Sequence, residues 1–458
     1  MPNILNAKSG QQTSSTPAQI GHNSQHSYEI VPTASLKIDE DDPRKLNRVQ
    51  KKTAAKIVFK MGQQLPVIVD VDNRVIVGHA LVIGAIEAKI EQLSVRRITD
   101  MTRSELKSLS IAYGRLGELG SFDQGLLGKW LQDITVELPD FDVEDLGLSI
   151  SEADIAIGAM AECDEPELPA IPLSGEHVSE IGDCFQLGHH RLFCGSALDS
   201  NVYQVLMAGK KAAMILTDPP YGIKIDGGAA GKGRHREFVQ GSGDMPDPEL
   251  TEFFSDSLKQ ACFYLLPGAL VQIFIDWRSM PQLLAAATAL FGKMINMAVW
   301  VKDRAGMGSF LRSQHELILI FRNPGGKHRN NVELGRNGRH RSNVWEYPSA
   351  KSFSKASDEG NMLANHPTPK PVRMIADAIL DCTKRGEIVL EMFCGSGTAL
   401  IAAERTGRTC YAIELDPIYV DLAIRRWQQW TGEHAVHDQS GVIFNELAAV
   451  RRAQLTEV

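Results

Sequence analysis

The sequence predicts an α/β protein in which a small α+β domain precedes a larger domain built on a mostly parallel sheet. Two short, largely apolar runs, residues 212–217 and 387–391, have the character of strands buried on both faces of a parallel sheet. A separate group of β-branched runs lies near the N-terminus, ahead of a long acidic stretch. With 458 residues and 43% hydrophobic residues, the chain is long enough for two or three domains.

The N-terminal part divides into a tail and a compact domain. Residues 1–27 are polar and without periodicity, so a disordered tail is expected. Residues 28–135 then predict a small α+β domain. Its strands are expected at 64–70, 74–77 and 94–98 and a helix at 80–90. Thr102 and Glu105 have the spacing of a capping box at the start of a further helix.

Two motifs in this domain resemble the partition-protein B (ParB)-like nuclease fold. They are Asp42-Pro43-Arg44 and the run from Arg74 to His79 that leads into an Ala-rich helix. In ParB-type partition proteins an arginine-bearing box follows the glycine and supports nucleotide binding. Here His79, Ala80 and Leu81 follow Gly78, without an arginine. The resemblance therefore implies a docking or DNA-positioning module in which nucleotide binding is in doubt.

The net charge of −8 is unevenly distributed along the chain. No Lys or Arg occurs between Lys129 and Arg191, and 15 acidic residues lie between positions 133 and 183, so the remainder carries +7. Residues 302–355 hold 11 basic and 4 acidic residues. Dispersed solvated charge also explains such a pattern. We interpret residues 136–177 as an acidic linker and the basic segment as a surface for nucleic acid.

The cysteines and the apolar runs exclude several classes of protein. None of the seven cysteines forms a CxxC pair or a zinc-ligand spacing, which favours a reduced cytoplasm. The His315-Glu316 pair has no accompanying ligands, so no metal is expected. No apolar run has the length of a membrane span, and the N-terminus lacks a signal-peptide pattern.

The strand at residues 212–217 ends in Asp218-Pro219-Pro220-Tyr221. An exocyclic amine on a base is a poor nucleophile, because its lone pair is delocalised into the ring. The Asp218 carboxylate and the Pro219 carbonyl, held rigid by two prolines, offer one acceptor for each N–H. Tyr221 offers a ring on which an extruded base can stack. An ordinary Asp-Pro turn is the plain alternative.

A glycine turn follows the second apolar run. Gly395-Ser396-Gly397 lies between the strand at 387–391 and a helix at 398–405, so main-chain amides can approach a ligand at the helix start. Nicotinamide- and flavin-binding folds share such turns. The strand at 409–414 ends in Glu414, which is placed to accept hydrogen bonds from ribose hydroxyls.

Taken together, these motifs resemble the amino-methylating DNA methyltransferases with permuted motif order, over residues 178–450. The resemblance rests on Asp218–Tyr221, on 366–371 before a helix at 372–380, on 393–398 and on 414–420. It implies a Rossmann-like, S-adenosylmethionine-dependent methyltransferase domain after the ParB-like domain. The cofactor-binding residues implied are Glu391, Phe393, Gly395, Ser396, Gly397, Thr398, Glu414, Lys370 and Thr368.

The resemblance also implies positions for some of these side chains. Lys370 and Thr368 are expected near the methionine end of the cofactor, and Phe393 near its adenine or sulfonium. Two departures stand out. Glu391 replaces the usual aspartate, and Cys194-Gly195-Ser196 replaces a Gly-Asp pair, leaving the adenine-side contact absent or shared with Asp199.

The basic insert at about 323–365 lies where the family keeps its target-recognition region, and it is too polar for a core. Phosphate contacts should dominate DNA affinity. The cations expected to bind DNA lie in this insert and in the segment before it, and they are Lys302, Arg304, Arg312, Lys327, Arg329, Arg336, Arg339 and Arg341.

The resulting expectation is site-specific methylation of adenine N6 in double-stranded DNA by base flipping. N4-cytosine methylation is the alternative, because aspartate before Pro-Pro-Tyr favours adenine by resemblance and serine favours cytosine. A ParB-like DNA-binding regulator with a vestigial methyltransferase domain is a rival of another class, and RNA is a further substrate to consider. Carbon-5 methylation is excluded, since no Pro-Cys motif occurs. A homodimer and a partner endonuclease are left open.

Overall fold

The computed structural model describes residues 27–38, 43, 45–138, 142–158, 177–222, 245–306, 310–333, 341–348 and 370–456. The chain divides into two compact units, Met1–Ser149 and Ile150–Val458. Apart from Ser27, the tail expected to be disordered lies outside the described residues, as does Asp42. No helix within the described ranges combines the length and the apolar character needed to cross a bilayer.

The first unit is a four-stranded sheet with helices, which agrees with the predicted α+β class, although the strand at Ser27–Pro32 was not among the three predicted. The strand order is β1-β4-β2-β3, with β2 and β4 parallel and the other neighbours antiparallel. The capping box is confirmed, because Thr102 and Glu105 exchange both bonds at the start of α3. The elements are β1 (Ser27–Pro32), α1 (Arg48–Met61), β2 (Val67–Val69), β3 (Val75–Val77), α2 (His79–Glu87), β4 (Gln92–Arg97), α3 (Arg103–Leu119) and α4 (Gln124–Glu137).

The second unit is an α/β fold around one ten-stranded sheet. Its elements are α5 (Ile150–Ala156), β5 (Cys184–Leu187), β6 (His190–Cys194), α6 (Ser200–Met207), β7 (Ala212–Thr217), α7 (Asp247–Cys262), β8 (Leu265–Ile275), α8 (Met280–Phe291), β9 (Asn296–Val301), β10 (His315–Arg322), β11 (Val344–Glu346), α9 (Val372–Leu380), β12 (Ile388–Glu391), α10 (Thr398–Thr406), β13 (Thr409–Glu414), α11 (Pro417–Thr431), β14 (Val436–His437) and α12 (Phe444–Thr456). The strand order is β11-β9-β10-β8-β7-β12-β13-β6-β5-β14.

Five central strands of this sheet, β8-β7-β12-β13-β6, are parallel, and most of the flanking pairs are antiparallel. Separate apolar clusters cover the two faces, one built with α9–α12 and the other with α6–α8. All six residues of β7 are buried, as expected for a strand covered on both faces. The strands β7 and β12 are neighbours although far apart in sequence. Their carboxyl ends therefore lie side by side at one edge of the sheet.

The segment predicted as an acidic linker is ordered in two places. Residues 143–146 form a 3-10 turn in the first unit. The Asp145 carboxylate there accepts hydrogen bonds from the Lys56 ammonium at 2.5 Å and from the Lys60 ammonium. Helix α5 belongs to the second unit, so that unit begins at Ile150 and extends beyond position 450 into α12. These acidic side chains partly serve as ion-pair partners within the two units.

The basic insert was predicted to be too polar for a core, and this is wrong for one part of it. Residues 344–346 form β11, which pairs in parallel with β9 and is the outermost strand on that side of the sheet. Trp345 is buried there and belongs to the apolar cluster on the α9 side. The sequence did not predict this strand because its neighbouring residues are polar and only one of its residues, Trp345, packs into the core.

Candidate functional site

The two sequence motifs line one cavity of about 310 Å³ at the carboxyl edge of the parallel strands. The loop after β7 contributes Asp218, Pro219, Pro220 and Tyr221, and the turn after β12 contributes the opposite part of the lining. Open α/β sheets keep ligands at this edge, where strand order reverses. The volume lies at the lower end of the roughly 300–1,000 Å³ typical of small-molecule sites.

Asp218 is held from both sides. The Tyr221 hydroxyl donates to its Oδ1, and the Lys370 Nζ lies 2.5 Å from its Oδ2. The Tyr221 carbonyl in turn accepts from the Ser279 hydroxyl at 2.8 Å. Two carboxylate oxygens have about four lone-pair sites, so Asp218 can accept a further N–H without losing either donor. About a third of its side chain remains exposed.

Lys370 links Asp218 to a second carboxylate. Its Nζ lies 2.9 Å from Glu316, which also pairs with Lys302. Burial lowers the pKa of Lys370, but Asp218 and Glu316 outweigh burial and hold that pKa above its ordinary value. Burial likewise raises the pKa of Glu316, but the two lysines hold it well below its usual range. Negative and positive side chains therefore alternate in the order Asp218, Lys370, Glu316 and Lys302.

Glu316 was not among the predicted site residues, although it lines the cavity. In the sequence, Glu316 stands out only as part of the His315-Glu316 pair, which is considered as a metal site and rejected. The structure places Lys370 between Asp218 and Glu316. The expected contact of Lys370 with the methionine end of a cofactor stays a prediction, and Thr368 lies outside the described residues.

Glu391 ties the two motifs together. Its Oε1 accepts from the Thr217 hydroxyl at 2.6 Å, which joins the ends of β7 and β12, and from the Phe393 N–H at 2.9 Å. The side chain is buried. Burial raises the pKa of Glu391 to about 8, more than the Thr217 hydrogen bond lowers it, and the charge of Asp218 adds to the rise. A protonated carboxyl is therefore the prevailing form at neutral pH.

Glu414 ends β13 at the same edge. One of its oxygens accepts from the Gly395 N–H at 2.7 Å and the other from the Asp416 N–H at 2.9 Å. Burial raises the pKa of Glu414 to about 7, against the effect of these amides. Lone pairs remain for ligand hydroxyls, so its expected contact with a ribose is compatible with the geometry and stays a prediction.

The glycines of the turn have different roles. A Cβ added at Gly395, where φ is +52°, would meet no heavy atom within 4 Å, so this position leaves room for a ligand against the main chain. A Cβ at Gly397 would lie 2.9 Å from the Ala423 Cβ, so that glycine lets α10 pack on α11. Arg426 donates to the Ser396 carbonyl and to the Thr398 hydroxyl, each at 3.1 Å. Both residues line the cavity.

The remaining wall supplies one carboxylate, Asp416, that lies in the 414–420 motif but was not among the predicted site residues. Asp416 caps α11 through the Ile418 N–H at 3.0 Å and lines the cavity. Asp199, the other candidate for an adenine-side contact, caps α6 instead and is not part of the lining. Phe393 lines the cavity and packs against Phe253, with their ring centroids 5.8 Å apart.

Some of the cations expected to bind DNA form ion pairs within the protein, and others are exposed. Lys302 pairs with Glu316, Arg329 with Glu387 at 3.2 Å and Arg341 with Asp381 at 3.0 Å. Arg341 also stacks over Trp345, which identifies it as a brace between β11 and α9. Arg304 and Lys327 are exposed, Arg312 donates within its own loop, and Arg336 and Arg339 lie outside the described residues. Contact of these cations with DNA stays a prediction.

Comparison with known proteins agrees with the motifs. Residues 212–425, from β7 into α11, match the family model described as DNA methylase. The type II methyltransferase M2.MboI of Moraxella bovis is 24% identical over 254 residues, covering 54% of this chain and 88% of that protein. M2.DpnII of Streptococcus pneumoniae is 27% identical over 223 residues, covering 46% and 81%.

Solved structures give weaker likenesses. A DNA modification methylase of Thermus thermophilus, complexed with S-adenosyl-L-methionine, is 21% identical, covers 53% of this chain and 96% of its own, and has a TM-score of 0.37. A truncated chromosome-partitioning protein ParB of Caulobacter crescentus is 12% identical over 30% of this chain and 81% of its own, with a TM-score of 0.26.

Proposed function

Since residues 212–425 belong to the N6/N4 family of DNA methylases, whose methyl donor is S-adenosylmethionine, we propose that this chain methylates adenine N6 at a specific sequence in double-stranded DNA. The observation that carries the proposal is the shared cavity, which brings Asp218 and the turn around Gly395 to one space. We infer that the protein acts in the cytoplasm and that its partner is duplex DNA.

The amine side of the reaction follows from Asp218 and Pro219. A carboxylate oxygen and the Pro219 carbonyl each accept one N–H of the target amine. The nitrogen lone pair is thereby withdrawn from the ring and directed into the cavity. A base stacked in a duplex cannot enter a cavity at a sheet edge, so the target base must be extruded. Aspartate before Pro-Pro-Tyr supports adenine over cytosine by family resemblance.

The cofactor side follows from the turn and its carboxyl groups. The open space at Gly395 fits a ligand lying on the main chain, and Glu391, Glu414 and Asp416 offer acceptors for hydroxyl or ammonium groups. The cofactor, when bound, supplies a methyl group activated by a positively charged sulfur. The residues of the chain then only bind, orient and exclude water, and no covalent bond to the protein is required.

The buried carboxyl of Glu391 gives cofactor binding a pH dependence. With a pKa of about 8, Glu391 is mostly protonated at pH 7, and a cationic ligand favours its ionised form. Binding therefore releases a proton. The affinity should rise with pH by up to about tenfold per unit below pH 8 and level off above it. Isothermal titration calorimetry in buffers of different ionisation enthalpy measures both the affinity and the proton release.

The matched variants separate the two acids that titrate in this range. Glu391→Gln keeps an oxygen for Thr217 and Phe393 but cannot ionise, so its cofactor affinity should vary less with pH. Glu414→Gln tests the contribution of the other acid, whose pKa is about 7. A wild-type affinity that is flat or falls between pH 6 and 8 would refute this role of Glu391.

The target base is tested by expressing the protein in a host without DNA methylation and mapping modified bases by long-read sequencing. We expect N6-methyladenine in one sequence context, and none with the Asp218→Ala variant. N4-methylcytosine in a defined context would establish the alternative instead. Unmodified DNA from a strain with abundant folded protein would overturn the proposal.

A further inference from the structure

The strands β9 and β10 continue beyond the sheet as a hairpin that presents two large apolar side chains. The hairpin is joined across its base by Lys302 N–H to the Gln314 carbonyl at 2.9 Å, and further out by Gly306 N–H to the Ser313 carbonyl at 2.8 Å. Phe310 is 91% exposed and Leu311 is 78% exposed. Phe310 has the largest exposed fraction of any large apolar residue in the described ranges.

This exposure does not come from a lack of local structure. The Arg312 guanidinium reaches back to the Ala305 and Gly306 carbonyls at 2.8 and 3.0 Å. The Gln314 side chain donates to the Lys302 carbonyl at 2.8 Å. These hydrogen bonds hold the described part of the hairpin in place, while Phe310 and Leu311 remain largely exposed. Adjacent exposed apolar residues on a braced hairpin indicate a contact surface.

The hairpin emerges from the same edge of the sheet as Asp218. In the sheet, Leu317 pairs with Ile275, and Ile273 pairs with Thr217, the residue before Asp218. The start of β10 and the ends of β8 and β7 therefore lie at one edge. The ion-pair cluster described above also joins the base of the hairpin to Asp218, through Lys302, Glu316 and Lys370.

Two exposed arginines lie near this edge, each beside an aspartate: Arg304 lies 3.8 Å from Asp303 and Arg278 lies 3.3 Å from Asp276. Arg304 lies in the hairpin with 57% of its side chain exposed. Arg278 lies in the neighbouring loop after β8 with 59% exposed, and it stacks over the half-exposed ring of Trp277. Exposed guanidinium groups beside apolar side chains suit a surface that offers phosphates around stacked bases.

We propose that Phe310 and Leu311 enter the base stack of duplex DNA and fill the space left by the extruded target base. This inference rests on the proposed function and extends it to residues that hold the base out of the helix. Apolar side chains at such a gap replace lost stacking contacts and oppose return of the base. Arg278 and Arg304 contact the flanking phosphates.

The test compares the Phe310→Ala/Leu311→Ala double variant with wild type on two synthetic duplexes. Both contain the sequence that long-read mapping identifies, and one has an abasic site opposite the target base. The missing partner weakens pairing, so the base leaves the helix more easily. We expect the variant to be about 10- to 100-fold slower than wild type on the intact duplex and to recover most of that loss on the abasic one.

The control is Phe263→Ala/Leu266→Ala, a pair of the same residue types that is 63% and 38% exposed. Phe263 follows α7 and Leu266 lies at the start of β8, at the opposite end of the strands from the hairpin. This variant should methylate both duplexes like wild type. Equal loss on the two duplexes, or no loss, would overturn the inference. So would a change in molar mass by light scattering without a defect specific to the intact duplex, since the surface would then join copies of the chain. Wild type inactive on both duplexes would instead refute the proposed function.

Discussion

Asp218→Asn should lower the rate of methyl transfer about 10²- to 10⁴-fold while changing cofactor affinity little. The variant keeps the size of the side chain and one acceptor oxygen, but it loses the negative charge that holds the target amine. Lys370 retains Glu316 as a partner, so the local structure should survive. Single-turnover transfer of a labelled methyl group to duplex DNA measures the rate, and calorimetry measures cofactor affinity.

Asp199→Asn is the matched control for that variant. Asp199 is exposed, caps α6 and does not line the cavity, and asparagine caps helices as well as aspartate does. Its activity should stay within about twofold of wild type. If Asp218→Asn transferred methyl groups as fast as Asp199→Asn, the carboxylate would not hold the amine.

Asp154→Ala should destabilise the second unit by about 3–5 kcal/mol, because it leaves a buried cation without its partner. The Asp154 carboxylate accepts two bonds from Arg408, each at 2.8 Å, and neither side chain is more than 2% exposed. Arg385 lies 3.9 Å from the same carboxylate. Removing Asp154 leaves the buried Arg408 guanidinium without a counter-charge and close to Arg385, whose side chain is 21% exposed. Urea unfolding followed by tryptophan fluorescence measures the change, since five of the six tryptophans lie in this unit.

Glu152→Ala is the control, because Glu152 is an exposed acid in the same helix. It should cost less than about 1 kcal/mol. A chain that starts at Val178 removes α5 altogether and should be as unstable as Asp154→Ala, whereas a chain that starts at Ile150 should keep the stability of the unit. Equal midpoints for Asp154→Ala and Glu152→Ala would show that the ion pair is dispensable.

The central strands and the helices beside them could be predicted from the sequence. The boundaries of β7, β13 and α9 match the predicted ones. These segments are short apolar runs or periodic helices bounded by turn residues, so local pattern and burial agree. The meeting of the two motifs could also be predicted. Each follows a strand of a parallel sheet, and parallel strands place their carboxyl ends at the same edge.

Contacts between distant residues could not be predicted in the same way. The partners Asp218 and Lys370 lie 152 positions apart, and Glu316 joins them only after β10 has paired with β8. An acidic stretch was interpreted as a linker because charge usually indicates solvent, yet Asp154 is buried opposite Arg408. Local composition does not reveal which acids will meet a buried cation.

In the proposed reaction, one cavity holds both the target amine and the methyl donor. The most direct test of this arrangement is a transfer assay with S-adenosylmethionine that carries a labelled methyl group. Unmethylated genomic DNA is the acceptor, and it is then digested to nucleosides, which are separated. We predict label in N6-methyladenine from wild type and none from Asp218→Ala. Protein that binds the cofactor tightly yet leaves every nucleoside unlabelled would contradict the claim.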